Sequence, residues 1–399
     1  MTDFDVAIAG GGLVGAALAA SLADLPLRIA LIDQHALTGM SDQRDEDGRS
    51  LALSWESRKI LERLGVWTAI ANEAARMDRV HVSQRGYFGV TRLRAADLRA
   101  EALGYVAPYH SVAAALAERI EAQANLTVIA PASMTEIQAV PGAVELALDS
   151  EGGPSRISTR LLAGADGGQS STRRLLGIGQ QVTDYHQQAL VANVRVEGGV
   201  AHEAWERFTE QGPMALLPLK NNRLALVWTG TEALTAERLA WSDGVFLEQL
   251  QGAFGYRAGE FTGVGKRAAF PLRQVLAGQL VARRTALLGN AAHSLHPVAG
   301  QGLNLALRDV RVLASLLAEG GDPGAWSLLD RYAELRSGDI RLTANATDAL
   351  IRLFGQPSRL LAHARGAGLY LLDKAPLLKN RLARYGMGYR PALTSVLGT

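Results

Sequence analysis

Four short apolar runs punctuate the chain, and each ends at a glycine or an acid. Val6-Ala-Ile-Ala stops at Gly10, Leu27-Arg-Ile-Ala-Leu-Ile32 at Asp33, Arg160-Leu-Leu-Ala-Gly-Ala at Asp166, and Ala286-Leu-Leu at Gly289. Runs this short, with little polar alternation, predict strands buried on both faces of a parallel sheet. Between them the period changes. An Ala- and Leu-rich helix is expected over residues 13–23, an amphipathic one through Leu61 and Leu64 to Gly65, and another over 303–317. Residues 189–196, 214–219 and 223–229 read as further strands, with a turn at Lys220-Asn221-Asn222, so the middle of the chain should be a sheet-rich insert. Residues 311–365 carry a helical pattern with no repeat and no low-complexity linker.

The chain has 399 residues, 48% of them hydrophobic, enough for two lobes rather than one. A net charge of +2 does not point to nucleic acid. There is no cysteine, which excludes disulfides, thiolate metal sites and thiol nucleophiles, and fits a reducing compartment. The start of the chain predicts no signal peptide, and no apolar run reaches the ~18 residues of a membrane span. A cytoplasmic location is expected, with peripheral contact at the inner face of the membrane left open. From Arg359 to Thr399 seven Lys/Arg stand against one acid, interleaved with leucines. Two readings of that tail stay level: a surface for anionic membrane or a partner protein, and a helix pair with a solvated basic face.

The chemistry lies in the glycine turns. Gly10, Gly12 and Gly15, with Leu13 and Val14 between them, form a GxGxxG between strand and helix. In such a turn the first glycine permits the bend, the second lets backbone approach a pyrophosphate, and the third lets helix pack on strand. Asp33 follows 18 residues after Gly15, where an acid binds adenosine ribose. The second motif is Asp166-Gly167-x-x-Ser170-x-x-Arg173, with Ser170 as a helix N-cap. The third runs Gly289-Asn290-Ala-Ala-His293-Ser-Leu-His296-Pro297-Val-Ala-Gly300-Gln301-Gly302-Leu303-Asn304. Its second glycine cluster lets backbone N–H groups approach a flat ring, and the helix after it directs positive charge there. His293 and His296 are candidate general bases, although histidines in a turn are more often packed. They lack the neighbours of a metal site, and no metal is expected.

In this order the three motifs resemble the flavin-dependent aromatic hydroxylases. The G-N-A-A variant and the Trp205-Glu206-Arg207-Phe208-Thr209 segment are similar to the ubiquinone-biosynthesis branch of the 2-octaprenyl-6-methoxyphenol hydroxylase type. The resemblance implies an α/β chain: a Rossmann-like FAD-binding domain of the GR2 type, a mixed-sheet substrate domain, and C-terminal helices. Expected boundaries are 1–78, 98–180 and 268–340 for the first, 79–97 and 181–267 for the second, and 341–399 for the third. It implies FAD as cofactor, held by Gly10, Gly12, Leu13, Val14, Gly15, Asp33, Arg49, Asp166, Gly289, Asn290, Gly300, Gly302, Leu303 and Asn304. Arg49 would sit by the flavin, with a guanidinium suited to bidentate contacts, and Arg173 by the pyridine nucleotide. Where most of the family has an acid for the ribityl chain, Asn290 keeps hydrogen bonding and loses charge. The catalytic turn would be His296, Pro297, Gly300, Gln301 and Gly302, with backbone donors acting as an oxyanion hole does.

The implied reaction is hydroxylation of a polyprenylated phenol with NAD(P)H (NADH or NADPH) and O₂ through a C4a-hydroperoxyflavin, the cofactor carrying the chemistry. Three alternatives stay open: a hydroxylase of a small soluble aromatic, a same-fold isoprenoid reductase, and a non-catalytic scaffold of a ubiquinone-synthesis complex. Implied partners are the phenol, O₂, other ubiquinone-synthesis proteins through the tail, and a second copy of the chain. Phe270, Pro271 and Leu272 are expected to wall an apolar pocket.

Overall fold

The computed structural model describes residues 2–36, 49–296, 300–356 and 358–390. One sheet is built around β1 (Phe4–Ala9), whose Val6, Ala7 and Ile8 are fully buried. Parallel neighbours are β2 (Ile29–Ile32) and then β8 (Leu126–Ile129) on one side, and β11 (Ser155–Gly164) and then β19 (Thr285–Leu287) on the other. Short β18 (Val281–Ala282) closes that edge, and β9 (Ala132–Val140) and β10 (Ala143–Ser150) extend β11 antiparallel. Helix α1 (Leu13–Ser21) is alanine-rich and apolar nearly all round, so it is buried nearly all round, against the sheet, α4 (Tyr109–Glu121) and α8 (Gln301–Ala318).

The second sheet runs in the order β20 (His293–Ser294), β17 (Ala268–Ala277), β12 (Gln180–Glu197), β15 (Arg223–Gly230), β14 (Gly212–Leu219), β13 (Glu203–Thr209), β5 (Arg79–Gln84), β6 (Val90–Arg94), with β16 (Glu260–Val264) also on β12. Successive residues point to opposite faces. Met214, Leu216, Leu226 and Trp228 pack on one face against Phe246, Leu250 and Phe254 of α7 (Asp243–Phe254), beside α6 (Glu232–Ala240). Ala215, Leu217 and Val227 face the other way, toward the C-terminal helices. A small antiparallel sheet of β3 (Ser50–Ser54), β7 (Gly104–Pro108) and β4 (Ala75–Met77) lies beside α2 (Trp55–Arg63) and α3 (Trp67–Ala71).

Two expected boundaries shift. Strand β17 pairs with β12 from Gln180↔Ala277 to Val191↔Ala268, so residues 268–277 belong to the insert's sheet and the chain returns near Gly278. The break expected at 340/341 falls inside one continuous helix, α9 (Trp326–Gly355). It is followed by α10 (Arg359–Lys374) and α11 (Pro376–Gly386). Short α5 (Ser171–Leu175) opens on Ser170, whose hydroxyl accepts from the Arg173 N–H as an N-cap does.

Candidate active site

The three glycine turns converge because the strands before them are adjacent and parallel. Ala165 N–H donates to Ala9 O at 2.8 Å, and Leu288 N–H to Gly164 O at 2.9 Å. Gly10 has φ +101°, and a Cβ there would lie 2.6 Å from Ala165 O. A Cβ at Gly15 would lie 1.8 Å from Gly10 O. Neither position tolerates a side chain. At Gly12 and Gly302, by contrast, a Cβ would meet nothing within 4 Å and would enter a cavity.

That cavity holds about 910 Å³. It extends from Asp33, Gln34 and Met134 past Gly10, Gly12, Leu13 and Val14 to Arg49, Tyr109, Asp166, Asn290, Gly300, Gly302 and Leu303. Asp33 accepts from Gly11 N–H at 2.6 Å and from His35 N–H at 2.8 Å, which fixes its carboxylate at the cavity's end. The Arg49 guanidinium stacks 4.4 Å over Tyr109. Asp166 accepts from the Thr172 N–H and hydroxyl at 2.8 and 3.0 Å, while its buried Oδ1 has no hydrogen-bond partner among the described residues. Asn290 lies exposed to the cavity on the turn Gly289–Ala291. A long cleft with an acid at one end, glycine cradles that a Cβ would fill, and a helix N-terminus at the other fits FAD.

Several expected roles change. Arg173 is 5% exposed, and its guanidinium donates to Ala291 O and Gly168 O, both at 2.7 Å. It straps the second turn to the third and does not line the cavity. The arginine that does is Arg174, one residue on. Asn304 is 2% exposed, donating to Ala52 O and Gly300 O and accepting from Ser54 N–H. It anchors α8 to β3 rather than reaching for a ligand. Gly289 likewise lies behind the lining, where a Cβ would crowd Val14 at 3.0 Å. The His296 ring is fully buried, stands edge-on to Tyr185 at 5.2 Å and lines neither cavity. Burial pulls it down to about 4, so it is neutral at pH 7. Pro297 lies outside the described residues.

His293 belongs to a buried ion network. Its Nε2 donates to Asp309 at 2.6 Å, as do Gly289 N–H at 3.0 Å and Arg336 Nε at 2.7 Å. Arg336 also meets Asp339 at 2.9 Å, which takes Arg308 and Arg390 in turn. Burial alone would raise the Asp309 carboxyl, but His293 and Arg336 outweigh it and hold it low. No motif spacing announces this network, because its members are scattered from Gly289 to Arg390.

A second cavity of about 420 Å³ opens beside the first. Ser50, Ala52 and Gly300 line both. Its floor is the insert's sheet, through Val82, Thr91, Glu206, Phe208, Ala215, Leu217 and Val227. Its other walls include Gln301 of α8, and Thr347, Leu350, Phe354, Leu369, Leu372 and Leu382 of α9 to α11. Phe208 stacks on Phe354 with ring centroids 3.7 Å apart. Phe270, Pro271 and Leu272 do not line it: they sit on β17, further along the sheet. Trp205 and Phe208 are strand residues that both pack and line the cavity.

A family model, the FAD binding domain, matches residues 3–345. The chain is 36% identical over 389 residues to the ubiquinone hydroxylase UbiL of Rhodospirillum rubrum, covering 96% of this chain and 89% of that one. It is 32% identical over 392 residues to the 3-demethoxyubiquinol 3-hydroxylase of Escherichia coli, covering 96% and 98%. Among solved structures, PqsL of Pseudomonas aeruginosa, a probable FAD-dependent monooxygenase, superposes with a TM-score of 0.75 at 23% identity over 92% of this chain and 99% of that one. Fold, cleft and family model together define a flavoprotein, and with these two hydroxylase relatives the chain belongs to the FAD-dependent aromatic hydroxylases. FAD is its cofactor and NAD(P)H its co-substrate. Within that family it belongs to the ubiquinone-biosynthesis hydroxylases.

Proposed function

We propose that this chain hydroxylates a phenolic ring bearing a polyprenyl tail. The observation that carries the reading is the second cavity, almost wholly apolar, meeting the dinucleotide cleft at Ser50, Ala52 and Gly300. A ring held at that junction faces the flavin end of the cleft, and an isoprenoid chain fits along Leu350, Phe354, Leu369 and Leu372. When bound and reduced, FAD activates O₂ for transfer of one oxygen atom. The protein's own part is binding and water exclusion. Gly10, Gly12, Leu13 and Val14 receive the pyrophosphate, Asp33 the adenosine ribose, Arg49 and Asn290 the ribityl side, and the first turn of α8 at Gly302 and Leu303 the ring.

The apolar lining favours a prenylated ring over a small soluble aromatic, which would leave Leu350 to Leu382 wet. We extend the reading to the membrane. Among the described residues no helix is long and apolar enough to cross one. Leu360, Leu371 and Leu377 are 81%, 64% and 88% exposed on α10 and α11, whose other sides wall the cavity. With Lys374, Arg381 and Arg384 on the same helices they suit an anionic bilayer surface.

The test supplies FAD-loaded protein with NAD(P)H, ¹⁸O₂ and a short-chain prenylated methoxyphenol, followed by mass spectrometry. One labelled oxygen in the product is expected. Reductant consumption with a saturated isoprenoid and no label would replace this reading with a reductase.

A further inference from the structure

Glu206 stands where an acid is costly. It lies on β13, and its register partners across the sheet are Val82 on β5 and Ala215 on β14. Beyond those come Thr91 and Val227. One rung of five strands therefore crosses the cavity floor, and all five side chains line the cavity. Four are neutral, and Glu206 is at the centre. Its carboxyl makes no hydrogen bond and no ion pair among the described residues, and the exposure it keeps opens onto the cavity. Among the described residues, the other ionisable group lining the cavity is Tyr385, on α11. Arg207, next in sequence, points to the opposite face, beside Phe254. An unpartnered carboxyl is not needed for folding here, and an apolar residue would fill the rung better.

We propose that Glu206 is a catalytic residue of this hydroxylase: its carboxylate accepts the hydroxyl proton of the phenol and holds the ring in register. The inference rests on the proposed function, because it takes a phenol as the occupant of the cavity. The phenol O–H bond breaks and its proton passes to Glu206. The oxygen's electron pair moves into the ring, and the ring carbon bonds to the incoming oxygen. The O–O bond of the two-electron-reduced dioxygen breaks, and its electrons leave with the departing oxygen. The hydroxylated dienone then loses its ring proton, which the departing oxygen takes up as it leaves as water. Glu206 returns its proton to the phenol oxygen, and aromaticity is restored. Burial pushes the Glu206 carboxyl up to about 8, and no charged group on a neighbouring element offsets it. A carboxylate with that affinity for a proton is a stronger base than an ordinary one.

The test uses the FAD-loaded full chain, a short-chain prenylated phenol and its O-methyl ether. At pH 9 calorimetry should find the phenol bound about tenfold or more tighter than the ether, because only the phenol donates to a carboxylate. Glu206→Gln should erase that preference while keeping FAD content and ether affinity. Its kcat should fall about 10²-fold or more, and the rise of wild-type kcat/KM with pH through about 8 should flatten. Glu206→Asp should retain the pH limb at reduced rate. Equal binding of phenol and ether to wild type, or a Glu206→Gln variant with an unchanged rate and pH limb, overturns the inference and leaves the substrate reading standing. Binding of neither compound overturns both.

Discussion

Asp309 is the residue whose loss should expose the wiring behind the flavin turn. Three donors converge on its two oxygens: Gly289 N–H and His293 Nε2 on Oδ2, and Arg336 Nε on Oδ1. In Asp309→Asn one position must become an NH₂. Turned one way it faces the Gly289 N–H, turned the other it faces the Arg336 Nε–H, so a donor meets a donor in either orientation. Asp309 and Arg336 are both fully buried, so no water relieves the mismatch. Breaking a buried ion pair costs about 3–5 kcal/mol. Arg336 keeps Asp339 at 2.9 Å, which places the loss at about 3 kcal/mol. With an m-value of about 3 kcal/mol per M, the urea midpoint should drop by about 1 M. The surface pair Asp184–Arg273 is the control: its side chains are 35% and 59% exposed, and Asp184→Asn should move the urea midpoint far less. Because Gly289 precedes Asn290 on the cavity wall, Asp309→Asn should also weaken FAD retention in equilibrium dialysis. A variant that unfolds within about 0.5 kcal/mol of wild type, with FAD affinity unchanged, would refute the claim that this network sets the turn.

Gly300 and Gly302 stand two positions apart and should respond oppositely. Gly300→Ala places a side chain at a left-handed φ of +58° and puts a Cβ 2.7 Å from that of Ala52, so the apoprotein should lose about 1–2 kcal/mol of stability, read as a lower melting temperature. A Cβ at Gly302 meets nothing within 4 Å and opens onto the cleft, so Gly302→Val apoprotein should melt as wild type does while FAD binding, followed by flavin fluorescence, weakens at least tenfold. Leu371→Glu with Leu377→Glu should abolish sedimentation with phosphatidylserine vesicles and leave turnover of a short-chain phenol intact, since both side chains point outward. Glu206 adds a stability signature. A carboxyl raised to about 8 keeps its proton in the folded state while the unfolded chain loses it near 4.5, so wild-type stability should decline as pH rises between those values. Glu206→Gln should remove that decline, gaining on the order of 4 kcal/mol at pH 8, measured by urea unfolding at pH 5 and pH 8.

The dinucleotide half of the site was legible because its constraints are local. A bend, a close approach and a helix start each demand glycine at a fixed spacing, and Gly10, Gly12, Gly15, Gly300 and Gly302 stand where those demands fall. Residues that act through long-range packing left no such trace. Arg173 and Arg174 are equivalent on paper. Only the fold turns one inward to Ala291 O and the other toward the cleft. Asn304 reads as part of a ligand-binding motif, yet its amide is consumed by Ala52 and Ser54, 252 and 250 residues away, and by Gly300, four residues away. The boundary at 268 failed for a similar reason. Strand β17 reads as a way back to the first sheet, but the long β12 offers it ten pairing partners first.

The substrate floor illustrates the deeper limit. A strand with one wet face announces its orientation by alternation, but β14 reads Met214-Ala-Leu-Leu-Pro-Leu219 without a break. Met214 and Leu216 serve the core against α7, while Ala215 and Leu217 serve the cavity, so both faces select apolar residues and the period of two is erased. A cavity for a greasy ligand is, to the sequence, another piece of core. The same logic makes the exception informative. On β13 the alternate residues Ala204, Glu206 and Phe208 line the cavity, together with Trp205, which also packs in the core with Phe254. Packing alone favours a third apolar side chain at the middle position, because a carboxyl there is desolvated without a partner. Stability therefore does not account for Glu206, and a ligand that brings its own hydrogen-bond donor does. In a pocket built to be mistaken for core, the one acid that breaks the pattern is the group with which the reacting end of the substrate can be told from its tail.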